Sequence, residues 1–208
     1  MSAIDLEIFA ATPLAREPYE HLIVPGFLKP DGIASIEAAW PQIDRPGSFP
    51  VSELDFGPDF ASLIDELCGP EMRAVFAAKF DVELSGRPVV VTVRGRCQAK
   101  DGRIHTDSES KIVTVLLYMN TEWSDQGGRL RVLRSGDDLE DYAAEVPPAA
   151  GTLLAFRRSD RSWHGHHGFV GERRVIQLNW LTDEATARRE RRRHRLTAWV
   201  KRLVPAVG

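Results

Sequence analysis

Cysteine is almost missing from this 208-residue chain: Cys68 and Cys97 stand alone, without CxxC or CxxCH spacing. A disulfide framework is thereby excluded. No apolar run approaches the roughly 18 residues that a membrane-spanning helix needs, and no basic-then-apolar leader opens the sequence. Internal repeats, low-complexity tracts and Gly/Ser linkers are absent as well, so no domain boundary is expected before about residue 183. These absences set the expectation of one reducing, cytoplasmic domain with a hydrophobic core of moderate size.

The net charge of −3 conceals an asymmetry, because residues 188–202 carry eight Arg or Lys against one Glu. That block holds +7 and leaves −10 on the remainder. Read as a helix, "RRERRRHRLTAWVKRLVP" places Leu196, Trp199, Val200, Leu203 and Val204 on one apolar stripe. Two readings stay open for 188–204: packing on the domain or on a second subunit, or peripheral contact with an anionic membrane at its inner face. Nucleic acid is not expected as a partner, since the rest of the chain is acidic and no base-reading motif appears.

The first 88 or so residues read as helix-rich. "YEHLIVPGFLKPDG" is a short strand closed by Pro and Gly. "PDGIASIEAAW" predicts a helix with Asp31 as N-cap, "GPDFASLIDELCG" a second with Asp59 as cap and Gly69 as stop, and "PEMRAVFAAKF" a third with Pro70 in its first turn. From about 89 to 183 the period changes. "VVVTVR", "KIVTVLLYMN", "GRLRVLR", "GTLLAFR" and "RVIQLNWL" are β-branched or aromatic runs separated by turn formers, which predicts an all-β sandwich or barrel. "SGDDLEDYAAEVPPAAG" reads as a long loop. Residues 184–208 are expected to form a basic amphipathic C-terminal helix.

Chemistry concentrates in two places. In "GRIHTDSES", an extended backbone sends His105 and Asp107 to one side of the chain, as chelation of one ion requires. About sixty residues on, "RSWHGHHG" supplies His164, His166 and His167 as candidates for a third ligand. Two His and one carboxylate form the facial set of non-heme Fe(II) oxygenases, although zinc hydrolases use the same donors. A solvated histidine loop is the plainer alternative.

An arginine separates these readings. In "RVIQLNW", Arg174 shares a face with Ile176, Leu178 and Trp180, whereas Arg173 falls with Val175, Gln177 and Asn179. A guanidinium on the apolar face calls for an anion, either an Asp or Glu of the protein or a bound dicarboxylate. Arg173, on the more polar face, is the poorer candidate. On the earlier run Thr114, Leu116 and Tyr118 share a face, so Tyr118 could aim its hydroxyl at the same anion or serve as a core tyrosine.

Taken in order, "HTD", "KIVTVLLYMNTEW", "GGRLRVL", "PPAAGTLLAF" and "SWH...GERRVIQLNW" resemble the 2-oxoglutarate and Fe(II)-dependent dioxygenases, most nearly the prolyl-4-hydroxylase-like branch. The resemblance spans most of residues 19–184. It implies a mainly β fold with flanking helices, a double-stranded β-helix of jelly-roll, cupin-like type. It further implies Fe(II) on His105, Asp107 and His164, 2-oxoglutarate on Arg174 with Tyr118 assisting, and O2 as co-reactant. The implied reaction hydroxylates a C–H bond and releases succinate and CO2. A non-catalytic β-helix module and a metal enzyme of this fold without 2-oxoglutarate are the alternatives. The family often carries a tyrosine where Gly95 stands here, and Arg94, Arg96 and Lys100 nearby make an anionic substrate one candidate.

Overall fold

In the computed structural model, which describes residues 2–190 and 192, two antiparallel sheets face each other and four helices cover the outside of the larger one. The elements run α1 (Leu6–Ala11), β1 (His21–Val24), α2 (Pro30–Ala38), β2 (Phe49–Pro50), α3 (Pro58–Cys68), α4 (Pro70–Phe80), β3 (Val89–Cys97), β4 (Lys111–Tyr118), β5 (Leu130–Leu133), β6 (Tyr142–Val146), β7 (Leu153–Arg157), β8 (His164–Gly165) and β9 (Gly171–Leu181). The six-stranded sheet is ordered β1-β7-β4-β9-β3-β2 and the three-stranded sheet β6-β5-β8. This is the expected jelly-roll class. Both edge strands of the large sheet, β1 and β2, come from the helix-rich N-terminal part, so that part completes the sheet as well as covering it.

Strand alternation divides two cores between the two faces of the large sheet. Val91 and Val93, Val113, Val115 and Leu117, and Ile176, Leu178 and Trp180 point toward the helices. There they meet Phe60, Leu63 and Leu67 of α3 and Met72, Phe76 and Phe80 of α4, the helical stripes that the sequence displays. The rings of Phe76 and Trp180 lie 5.0 Å apart. Leu116, Tyr118, Leu154, Phe156 and Val175 point the other way, onto Leu130, Val132 and Val146 of the small sheet. The functional cavity opens between the sheets.

Three expectations require correction. Asp31 and Asp59 lie in the first turns of α2 and α3 rather than at their caps, which are Lys29 and Gly57. Pro30 and Pro58 occupy the first helical positions, where they have no N–H to satisfy, and each Asp falls at the second helical position, where its charge is still favourable to the helix dipole. Gly69 ends α3 as expected and also begins α4. The stretch read as a loop contains β6, which pairs with β5 through Leu130↔Val146 and Arg131↔Glu145. A strand rich in Ala and Glu holds there because Arg131 bonds Glu145 across the ladder at 2.7 Å. The apolar stripe expected at 196–204 lies outside the described residues. Among those described, no helix is long and apolar enough to cross a membrane.

Candidate metal and cosubstrate site

His105 and His164 are joined through their backbones before their side chains meet. Each N–H donates to the other's carbonyl, at 3.1 and 3.0 Å, in an isolated antiparallel bridge. The rings consequently lie 4.3 Å apart. In both residues Nδ1 faces a carbonyl two residues earlier at 2.8 Å, Arg103 for His105 and Ser162 for His164. With Nδ1 donating to those carbonyls, Nε2 of each ring is left as the bare lone pair. Tyr19, in the N-terminal part, supports this floor by donating to the Trp163 carbonyl at 2.9 Å and packing on Phe156, which in turn lies under His164.

Asp107 completes the cluster. Among the described residues His105, Asp107 and His164 form one potential metal-binding group, with ligand atoms within 4.8 Å of one another. Burial works against the Asp107 charge, yet the Lys111 ammonium and His164, with hydrogen bonds from Lys111 and Thr114, outweigh it and hold the carboxyl down to about 2. Burial pushes His164 down to about 4 against the opposing pull of Asp107. His164 is therefore a neutral imidazole and Asp107 an ionised carboxylate at neutral pH, the protonation states that metal binding needs.

The other two histidines take different places. His166 lines the same cavity, but its Nδ1 is turned to the His167 carbonyl at 2.8 Å, and burial, then Arg173, pushes it down to about 4. His167 bonds Glu140 at 2.7 Å on the outside of the small sheet. The His166 ring sits where a side chain at position 102 would go: a Cβ on Gly102 would come within 2.3 Å of the His166 carbonyl oxygen and 2.4 Å of its Nδ1. Gly102 also has φ +93°, in the region that favours glycine. Gly102→Ala is expected to destabilise the fold by at least about 1–3 kcal/mol from backbone strain alone, as read in denaturant unfolding.

The arginine differs from the sequence expectation. Arg174 lies on the helix-facing side of β9, against Glu172 at 2.5 Å and Glu37 at 3.4 Å, with its guanidinium over the Trp40 ring. It lines a separate groove with Trp40 and Ile43. Arg173 is the one that enters the cavity of His105, Asp107 and His164. It is 4% exposed, its Nε donates to the Gly128 carbonyl at 2.8 Å, and its Nη2 has no hydrogen-bond partner. Among the described residues no carboxylate lies within ion-pair distance of Arg173. Tyr118 accompanies Arg173 rather than Arg174. Its ring lies 5.3 Å from that guanidinium, its hydroxyl is buried without a partner, and burial, opposed by Arg173, raises its pKa so that it stays a donor.

The reason for the exchange is the direction of the apolar face. Ile176, Leu178 and Trp180 serve the helix-side core, so the residue in phase with them leaves the site. The cavity side of β9 holds Val175, Gln177 and Asn179, a mixture that in the sequence looks like a solvated face.

The cavity, of about 160 Å³, thus has two imidazoles and a carboxylate at one wall and the Arg173 guanidinium, with its unpartnered Nη2, at another, and Leu116, Leu130 and Val175 also line it. A buried Arg without an anion is costly, so Arg173 and Tyr118 fit an anionic group of a bound molecule. The His/His/carboxylate donors fit a non-heme Fe(II) centre.

Fold and site together are similar to those of the oxygenases that combine Fe(II), 2-oxoglutarate and O2. Residues 96–182, which carry the three potential ligands, Thr114, Tyr118 and Arg173, match the family model described as the 2OG-Fe(II) oxygenase superfamily. No curated protein matches the chain. Solved structures share its fold at low identity. A prolyl-4-hydroxylase from Pseudomonas putida superposes with a TM-score of 0.56 at 16% identity over 86% of this chain and 97% of its own. A viral collagen prolyl hydroxylase from Paramecium Bursaria Chlorella virus-1, solved as a 2OG complex, gives 0.53 at 17% identity over 77% and 93%. HygX from Streptomyces hygroscopicus, solved with nickel and 2-oxoglutarate bound, gives 0.52 at 14% over 85% and 84%.

Proposed function

We propose that this protein hydroxylates a C–H bond of its substrate, with Fe(II) held by His105, Asp107 and His164 and the distal carboxylate of 2-oxoglutarate held by Arg173 and Tyr118. The observation that carries this reading is the unpartnered buried Nη2 of Arg173 in the cavity that also holds the His/His/Asp cluster, with the Tyr118 ring packed against that guanidinium. When bound there, Fe(II) supplies O2 activation, with one oxygen atom passing to 2-oxoglutarate, released as succinate and CO2, and the other to the substrate.

The chain's own residues prepare that chemistry. Ser162 and Arg103 carbonyls fix the imidazole tautomers, and Lys111 and Thr114 keep Asp107 ionised. Arg173 supplies charge and orientation to the cosubstrate, and the Leu116, Leu130 and Val175 wall excludes water from it. Of the three cations expected near an anionic substrate, Arg94 alone lines this cavity, held by Asp101 at 2.7 Å and Ser48 at 3.3 Å. Arg96 lines the outer groove and Lys100 is exposed. Arg94 is accordingly the residue proposed to meet a polar or anionic group of the substrate at the mouth.

The test is anaerobic loading with Fe(II) followed by 2-oxoglutarate and air. Succinate is expected to form slowly without substrate, to depend on Fe(II), and to accelerate with the right member of a peptide and metabolite panel. Tight Fe(II) binding with no succinate under any condition would instead favour a metal enzyme of this fold that does not use 2-oxoglutarate.

A further inference from the structure

Lys111 is a charged group at the metal cluster that the chemistry above leaves with no role beyond keeping Asp107 ionised. It begins β4, four residues after Asp107, and its side chain is only 11% exposed. Its Nζ donates to Asp107 Oδ1 at 2.8 Å. The two carboxylate oxygens are not equivalent. Oδ2 accepts the Thr114 hydroxyl at 2.6 Å, whereas Oδ1 lies 3.9 Å from His105 Nε2. The ammonium therefore holds the carboxylate oxygen that lies beside His105 Nε2. Lys111 is not among the residues that line the cavity.

We infer that Lys111 is a built-in counter-cation of the metal site, neutralising Asp107 in the metal-free protein and weakening metal binding by competing for the same oxygen. Two cations sharing one carboxylate oxygen in a partly buried place repel strongly. Without Lys111, the metal-free chain would bury Asp107 with no ionic partner, which is strongly destabilising. The residue thus exchanges metal affinity for stability of the empty site. This inference rests on the metal-site reading proposed above.

Lys111→Met and Lys111→Gln separate it from a merely structural role, which would lower stability and metal affinity together. The readouts are Mn(II) binding, by EPR of the free ion, and the melting temperature of the metal-free protein. Both variants are expected to bind Mn(II) more tightly than wild type by about tenfold or more, within the range over which outer partners tune metal affinity. Met is expected to lower the metal-free melting temperature, and Gln, which can still donate to Oδ1, to lower it less. Lys111→Arg, with the charge retained, is expected to stay close to wild type in affinity. Wild type that binds no Mn(II) overturns the metal-site reading itself. Wild type that binds, with Gln and Met binding equally or more weakly, overturns the counter-cation inference alone.

Discussion

Alanine at Arg173 is expected to remove most of the affinity for 2-oxoglutarate, whereas alanine at Arg174 leaves it nearly intact. Arg173 is buried, has an unpartnered Nη2 and opens onto the His/His/Asp cavity. Truncating one member of a buried, hydrogen-bonded charge pair costs about 2–5 kcal/mol, so the dissociation constant should rise by roughly thirtyfold or more. Arg174 faces the other side of the sheet, and its partners Glu172 and Glu37 are partly exposed. Pairs of that kind contribute about 1 kcal/mol or less to stability and touch nothing in the cavity. Titration of 2-oxoglutarate into Mn(II)-loaded protein reads both substitutions. Equal losses, or a larger loss at Arg174, would return the cosubstrate to the outer groove. Tyr118→Phe should produce a smaller loss than Arg173→Ala, because it removes one neutral donor.

Alanine at His164 or Asp107 is expected to abolish specific metal binding at one equivalent and, with it, all succinate formation. The two substitutions differ in what they do to the metal-free chain. His164 is neutral when metal-free, so its removal costs packing on Phe156 and the hydrogen bond to Ser162. Removing Asp107 leaves the Lys111 ammonium and the Thr114 hydroxyl facing a gap, and a buried charge without its partner is the more expensive defect. Asp107→Ala should therefore melt lower than His164→Ala, while both bind no metal. His166→Ala is the control. Its Nδ1 is committed to the His167 carbonyl and its position is outside the ligand group, so one equivalent of metal should still bind. Metal binding that survives His164→Ala and disappears with His166→Ala would reassign the distal ligand.

Much of this arrangement was legible in the sequence, and the failures have physical causes. The strands carrying the site stand out because their central members are buried on both faces, so their β-branched and aromatic runs are nearly continuous. "HTD" and "RSWHGHHG" stood out as candidate ligand stretches, but the residues alone left three histidines open, and only the family resemblance singled out His164. The choice between Arg173 and Arg174 was not. Period-2 alternation correctly put them on opposite faces, but an apolar face does not say which core it belongs to, and here it belonged to the helices. The informative signal was the polar company of Arg173: Gln177 and Asn179, in phase with it, have counterparts on β4 in Thr114 and on β3 in Thr92. A run of polar residues on a central strand, where no solvent can reach, marks an interior site. The β6 strand was hidden for the converse reason, since its stability comes from cross-strand ion pairs that no local pattern reveals.

The backbone bridge between His105 and His164 has a consequence for how the molecule acquires its metal. The two residues are adjacent in the sheet ladder and distant along the chain, so the ligand set does not exist until the intervening strands β4, β5, β6 and β7 are in place. Closing a loop of that length is paid in chain entropy before the contact returns anything, and such non-local pairings form late in folding. A nascent or partly collapsed chain therefore offers an ion only the weak His105/Asp107 pair. Tight metal capture reports completed folding, and stopped-flow refolding followed by a metal-sensitive signal should show the metal phase lagging the recovery of sheet structure.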